Sequence, residues 1–190
     1  VVAVSLKKKG GTTESAVISL DGIVALEAVR VGSFDIDAAI QSYVRREHGI
    51  AIGERTAEEV KMAIGSAAPT EDEAQAEVRG RDLMTGLPRT VILTPEEVRF
   101  AIDDPVSSII SSVSRWVAES PPELAQDFLN RGMFLVGGGG MLRGLKQRIE
   151  KETNVPVRMS NMPLEAVVLG AGHCIEHYDA LKGMFMGARR

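Results

Sequence analysis

Two glycine-rich segments carry the first sign of chemistry. Gly10-Gly11-Thr12-Thr13-Glu14 stands just ahead of an apolar run. Glycines there let backbone amides approach a phosphate closely, and the threonine hydroxyl adds a donor. Taken alone, it reads more readily as an ordinary turn before a strand, since glycine turns there are common. The second segment is Phe134-Leu135-Val136-Gly137-Gly138-Gly139-Gly140-Met141-Leu142-Arg143. A buried-strand pattern delivers four glycines to the start of a helix, where backbone donors and the helix dipole meet. Four consecutive glycines carry an entropy cost that a tight strand–helix turn, needing one or two, does not explain. A planar or anionic ligand is therefore expected against Gly137, Gly138, Gly139, Gly140 and Met141.

Glu58 and Lys61 lie three residues apart and share one face of a short helix. A carboxylate beside an ammonium could hold a ribose hydroxyl and flank a base. Without further context the pair reads as a surface salt bridge worth under about 1 kcal/mol. Glu59 is assigned to a capping box, Thr56-Ala57-Glu58-Glu59. His173 and His177 have the spacing of a metal pair, but no third ligand is evident and no metal site is expected. With three histidines and one cysteine, Cys174, no Ser–His–Asp or Cys–His arrangement can be argued, and no catalytic residue is assigned.

These residues need elements to position them. Asp21-Gly22 between Ser15–Leu20 and Ile23–Val31 predicts a hairpin. Ile36, Ile40, Tyr43 and Val44 mark one face of a helix that ends at Gly49. A helix from Thr56 to about Gly65, a polar linker through Ala76, and short strands near Glu77–Arg79 and Thr90–Leu93 follow. Thr94-Pro95-Glu96-Glu97 opens another helix. A longer helix carries Val106, Ile109, Ile110, Val113, Trp116 and Val117 until Pro121 and Pro122 break it. The last third alternates: strand Met133–Val136, the glycine turn, helix Leu142–Glu152, strand Val155–Met159, then a helix from Pro163. That order predicts a parallel α/β layer with the hairpin as its antiparallel edge, and a small α+β insertion between. The apolar opening Val1–Val4 reads as a chain that starts inside a strand, as a piece of a longer protein would.

Composition sets the outer bounds. The chain has 190 residues, 44% hydrophobic and 25% charged, enough for one sizeable core or two small subdomains. A net charge of −4 and a pI near 5.5 argue against a nucleic-acid-binding surface. Lys7, Lys8 and Lys9 form a local basic run of the solvated kind. The single cysteine forbids an internal disulfide and fits a reducing compartment. There is no signal peptide and no apolar stretch approaching the roughly 18 residues that span a bilayer.

Together the segments resemble the MreB family of bacterial actin homologues. The resemblance rests on Gly10–Glu14 with Ala16–Leu20, Gly53–Lys61, Glu77–Arg81, Pro121–Leu124, Val136–Leu145 and Pro163–Gly170, in that order, and covers nearly everything from Gly10 to about Glu176. It implies an actin-like (ribonuclease H-like) α/β lobe, a mixed sheet with flanking helices. Residues 1–50 and 97–190 would form subdomain IIA, and 51–96 an inserted α+β subdomain IIB.

In that family Gly10, Gly11 and Thr12 belong to the second phosphate loop. The glycine run is the adenosine loop, Glu58 and Lys61 fall where the nucleoside is held, and Pro163–Gly170 matches the second hinge. The resemblance implies ATP or ADP with Mg2+ in the complete protein. It also implies filament subunits as partners, a membrane-linked adaptor of the RodZ type, and a place in the cytoplasm beneath the inner membrane. No direct membrane contact is expected from this half, because the family's membrane-inserting elements lie in the other.

Lys7-Lys8-Lys9 depart from the family's acidic phosphate-loop start, which puts metal handling by this chain in question. The first phosphate loop and the catalytic glutamate lie upstream in the family, so little ATPase activity is expected of this chain alone. The rival readings are a non-catalytic actin-fold interaction domain and a chaperone-type ATPase lobe. The short insertion and Arg79-Gly80-Arg81 favour the filament family over the last.

Overall fold

The computed structural model describes residues 2–6, 11–19, 22–71, 74–120 and 122–186. Lys7–Lys9, Gly10, Asp21 and Pro121 lie outside them.

Strand β1 (Val2–Leu6) pairs antiparallel with β2 (Thr13–Ser19), which turns back as β3 (Gly22–Val29), with Ser19 opposite Gly22. Val4 and Leu6 are fully buried on one face of β1. Helix α1 (Ser33–Glu47) follows and buries Ile36, Ile40 and Val44, the stripe its spacing predicts. Its start is fixed by the Gly32 amide, which donates to Asp35 Oδ2 at 2.7 Å. Gly49, at φ +66°, turns the chain out of it into β4 (Ile50–Ala51).

Helix α2 (Glu54–Ile64) begins two residues before the expected capping box. Gly53 is the extended N-cap, and the Ala57 amide donates to its carbonyl at 3.1 Å. Thr56 therefore sits inside the first turn, and Glu59 closes no cap. It pairs instead with Arg55 at 3.0 Å on the open surface.

Strands β5 (Ala76–Asp82) and β6 (Pro88–Leu93) are longer than the sequence suggested and join β4 in a three-stranded sheet, order β4-β5-β6. The helix start at Thr94 forms as expected, and a capping box closes it. The Thr94 amide donates to Glu97 Oε2 at 2.9 Å, and the Glu97 amide donates to Thr94 Oγ1 at 3.3 Å. Burial pushes the Glu97 carboxyl up, but the Thr94 donors and His48, 3.0 Å away, outweigh it and hold it below its usual value. This box opens α3 (Pro95–Ala101), and α4 (Asp103–Glu119) packs Val106, Ile109, Ile110, Val113 and Trp116 into the core. Helix α5 (Pro122–Arg131) ends at Gly132, φ +70°.

Strand β7 (Met133–Val136) then inserts beside β1, parallel to it and to β8 (Val157–Met159). The five-stranded sheet runs β3-β2-β1-β7-β8, so β7 is an interior strand and the hairpin an antiparallel edge. Gly138–Met141 forms a 3-10 helix where a plain turn was expected. Helix α6 (Leu145–Thr153) consequently starts three residues late, behind the left-handed Gly144. The final helix divides into α7 (Ala166–Glu176) and α8 (Tyr178–Met186), and α7 buries none of its residues.

Candidate nucleotide site

Because β1 and β7 are parallel, with Ser5 opposite Val136, their C-terminal ends meet at one sheet edge. Ligands of open α/β sheets gather at such edges. The glycine run leaves β7 there, and the loop returning through Gly11 and Thr12 connects the end of β1 to β2.

Most of the run has a reason inside the protein itself. Gly137 has φ +82°, and a Cβ there would collide with the Leu6 carbonyl. A Cβ on Gly139 would stand 2.8 Å from Leu6 Cβ, and one on Gly140 2.9 Å from Leu135 Cγ. Packing against two leucines thus demands three glycines, more than the sequence argument allowed. The donors are partly engaged as well. The Gly137 amide donates to Pro163 O at 2.8 Å and the Gly140 amide to Gly137 O at 3.1 Å.

A cavity of about 300 Å3 opens between the start of α1, the inner face of α2 and the glycine run. Its walls include Ser33, Ile36, Glu58, Lys61, Gly138, Gly139, Met141 and Leu164. The volume suits a compact ligand with a few convergent polar groups. Of the residues singled out by sequence, Glu58, Lys61, Gly138, Gly139 and Met141 meet here, whereas Gly137, Gly140, Gly11 and Thr12 do not line it. Gly11 lies instead beside the α1 start, where its Cβ would be 3.7 Å from Asp35 Oδ2. Thr13 anchors that loop by donating from Oγ1 to Val31 O at 2.8 Å.

Lys61 does not pair with Glu58. Its Nζ lies 2.7 Å from Asp37 Oδ1 and donates to Ser33 Oγ at 2.7 Å. Burial pushes the Asp37 carboxyl up, and the hydrogen bond and charge of Lys61 pull it back without cancelling the shift. Sequence reasoning missed Asp37 and Ser33. The signal was a carboxylate at the 37, 40, 44 spacing, on the buried and mainly apolar stripe of α1.

A larger groove of about 790 Å3 runs past Tyr43, Arg46, Phe100 and Arg148. It contains neither the glycine run nor Lys61, so chemistry rather than volume favours the smaller cavity. At the C-terminal end of α7 the rings of His173 and the capping His177 stack 6.4 Å apart, and Glu176 Oε2 comes 3.4 Å from His173 Nδ1. Glu176 thus stands where a third ligand could, which spacing alone did not show, and all three side chains lie on open surface.

The family model for the MreB/Mbl protein matches residues 5–183. The chain belongs to the MreB/Mbl family. It is 46% identical over 170 residues to the cell shape-determining protein MreB of Escherichia coli (strain K12), covering 90% of this chain and 49% of that protein. It is 36% identical over 172 residues to the cell shape-determining protein Mbl of Bacillus subtilis (strain 168), 90% of this chain and 52% of the relative. The chain spans about half the length of the curated relatives it matches. The crystal structure of MreB5 of Spiroplasma citri bound to ADP superposes with a TM-score of 0.88 at 30% identity, over 93% of this chain and 53% of that one. MamK in its double helical filament gives 0.70 at 20% identity over 86% of this chain and 50% of that one, a likeness of fold alone. The sheet and its flanking helices are accordingly the actin-like α/β fold of this family.

Proposed function

We propose that this MreB/Mbl chain is the nucleotide-binding lobe of an actin-like, filament-forming protein that directs rod cell shape. Its cavity would take the nucleoside end of ATP or ADP. The observation that carries this is the meeting of Lys61, Glu58, Gly138 and Gly139 on one cavity at the C-terminal sheet edge. The relative MreB5 was solved bound to ADP and to AMPPNP, which supports the same ligand class here.

In this reading Glu58 accepts from a ribose hydroxyl, and Met141 and Leu164 flank the base. The phosphates run toward the loop holding Gly11 and Thr12. Mg2+ fits less well. The carboxylate beside Gly11 is Asp35, whose Oδ2 already caps the Gly32 amide. One engaged carboxylate is a weak claim on a cation that wants octahedral oxygen ligands, so no step is assigned to metal held by this lobe.

The division into 1–50 with 97–190 and an inserted 51–96 belongs to the same proposal. So do self-association into filaments, a RodZ-type adaptor as partner, and a cytoplasmic place beneath the inner membrane without direct membrane contact from this half. Among the described residues no helix is long and apolar enough to cross a membrane.

The test is equilibrium binding of a fluorescent ADP to the complete protein, displaced by unlabelled ADP and then repeated with Met141→Trp to fill the cavity. Saturable binding that the tryptophan weakens is expected. Saturable binding that Met141→Trp leaves untouched would place the nucleotide elsewhere. No saturable binding at millimolar nucleotide would leave the non-catalytic interaction domain standing.

A further inference from the structure

Lys61 faces the cavity, yet its charge is already answered from behind. Asp37 and Lys61 side chains are only 12% and 10% exposed, and their charged atoms stand 2.7 Å apart. Ser33 adds its hydroxyl at 2.7 Å, with its carbonyl a further 3.5 Å contact. Lys61 and Ser33 line the cavity, whereas Asp37 sits behind them. Charges this buried persist only when paired and hydrogen-bonded.

The pairing changes what the cavity can accept. A free ammonium beside the backbone of Gly138 and Gly139 would form a phosphate site, since lysine is a compact point charge that binds phosphate readily. Arg143, the other cation on the lining, donates to the Met62 and Ala63 carbonyls at the end of α2. With Lys61 compensated and the Arg143 guanidinium, still charged, turned toward those carbonyls, Glu58 is the carboxylate on the lining, and a carboxylate favours hydroxyl donors and repels phosphate.

We propose that Asp37 is a positioning residue that decides which end of a nucleotide enters this cavity. By holding and neutralising Lys61, it makes the cavity select the uncharged nucleoside and turn away the polyphosphate. This rests on the nucleotide-binding reading above. The pair also joins α1 to α2, so the same contact fixes the width of the cavity.

The experiment measures displacement of fluorescent ADP from the complete protein by adenosine and, separately, by pyrophosphate. Asp37→Asn releases the Lys61 charge, and the affinity ratio of pyrophosphate to adenosine should rise about tenfold or more, as expected when a buried cation loses its partner. Asp37→Glu should leave the ratio near the parent value. Asp37→Asn combined with Lys61→Gln, a neutral hydrogen-bonding pair, should return it to within about threefold of the parent.

If Asp37→Asn weakens both ligands equally, or neither, Asp37 is only structural and the proposal fails. If Asp37→Asn does not fold, the double variant decides. A parental ratio supports selection by neutrality, and a shift toward pyrophosphate without a free cation overturns it. Failure of the parent protein to bind fluorescent ADP would instead remove the nucleotide reading itself.

Discussion

The Gly137 amide donates to the Pro163 carbonyl across 2.8 Å, tying the first residue of the glycine run to the segment that leads into α7. The next residue, Leu164, lines the cavity. One wall is therefore built from two stretches of chain joined by a backbone bond, and the donating residue has a φ of +82° that glycine adopts freely. Disturbing Gly137 should shift both stretches.

Gly137→Ala should destabilise the chain by about 2 kcal/mol or more, because a strained φ adds to a backbone collision with Leu6. Gly172→Ala in α7, with nothing within 4 Å of its Cβ, should gain up to about 1 kcal/mol from helix propensity. Urea midpoints at constant slope will show both. Equal effects at the two sites would mean the Leu6 contact relaxes easily.

Lys61→Ala should weaken adenine-nucleotide binding by about 1–3 kcal/mol, since it removes the charged hydrogen bond to Ser33 on the cavity wall and leaves Asp37 buried without its partner. Glu59→Ala should change neither binding nor stability beyond about 0.5 kcal/mol, because its pair with Arg55 is solvent-exposed and it caps nothing. Calorimetric titration with ADP, beside thermal melts of each variant, separates binding from folding.

The 190-residue chain should release no phosphate from ATP above the buffer rate. Phosphoryl transfer needs water, metal and phosphate held from both sides, and this chain covers about half the length of its relatives. A phosphate-release assay with Mg2+ and ATP, run against a full-length homologue, checks it. Turnover matching the homologue would show a complete catalytic apparatus in this chain.

The β5–β6 turn should respond to acid. Asp82 accepts from the Thr85 amide at 2.9 Å, the Thr85 hydroxyl and Met84 amide at 3.0 Å, and Arg89 at 3.0 Å, which hold its carboxyl down at about 2. A depressed carboxylate stabilises the fold above its ordinary value of 3.8, and that contribution disappears as pH falls from there through about 2. The Asp82 side-chain carbon resonance should titrate near 2 and move upward in Arg89→Ala. A midpoint near 3.8 in the parent chain would contradict the hydrogen-bonded turn.

Much of the fold was legible because local chemistry and tertiary demand agree. The stripe Ile36, Ile40, Val44, the pairing of β2 with β3, the helix start at Thr94-Pro95 and the strand Met133–Val136 all formed. Thr56 misled because Gly53, extended and close by, supplies an N-cap that needs no side chain. Part of the cavity was legible too, since Glu58 and Lys61 share a helix face and meet the glycine run. The partner of Lys61 was not, because Asp37 lies on another helix and only folding brings the two together. The reasons for Gly139 and Gly140 were hidden in the same way, in leucines from distant or preceding strand positions.

The sheet places Val2 opposite Met133, so an early strand waits for a very late one. Until β7 is made and inserted, β1 has only the hairpin strand β2 beside it, and Leu6 has no glycine run to cover it. Pairings between such distant positions are slow to form, and an open strand edge invites association with other chains. On a ribosome, the hairpin, α1 and the small sheet can therefore organise before the cavity, which is completed only by the segment that closes the parallel layer.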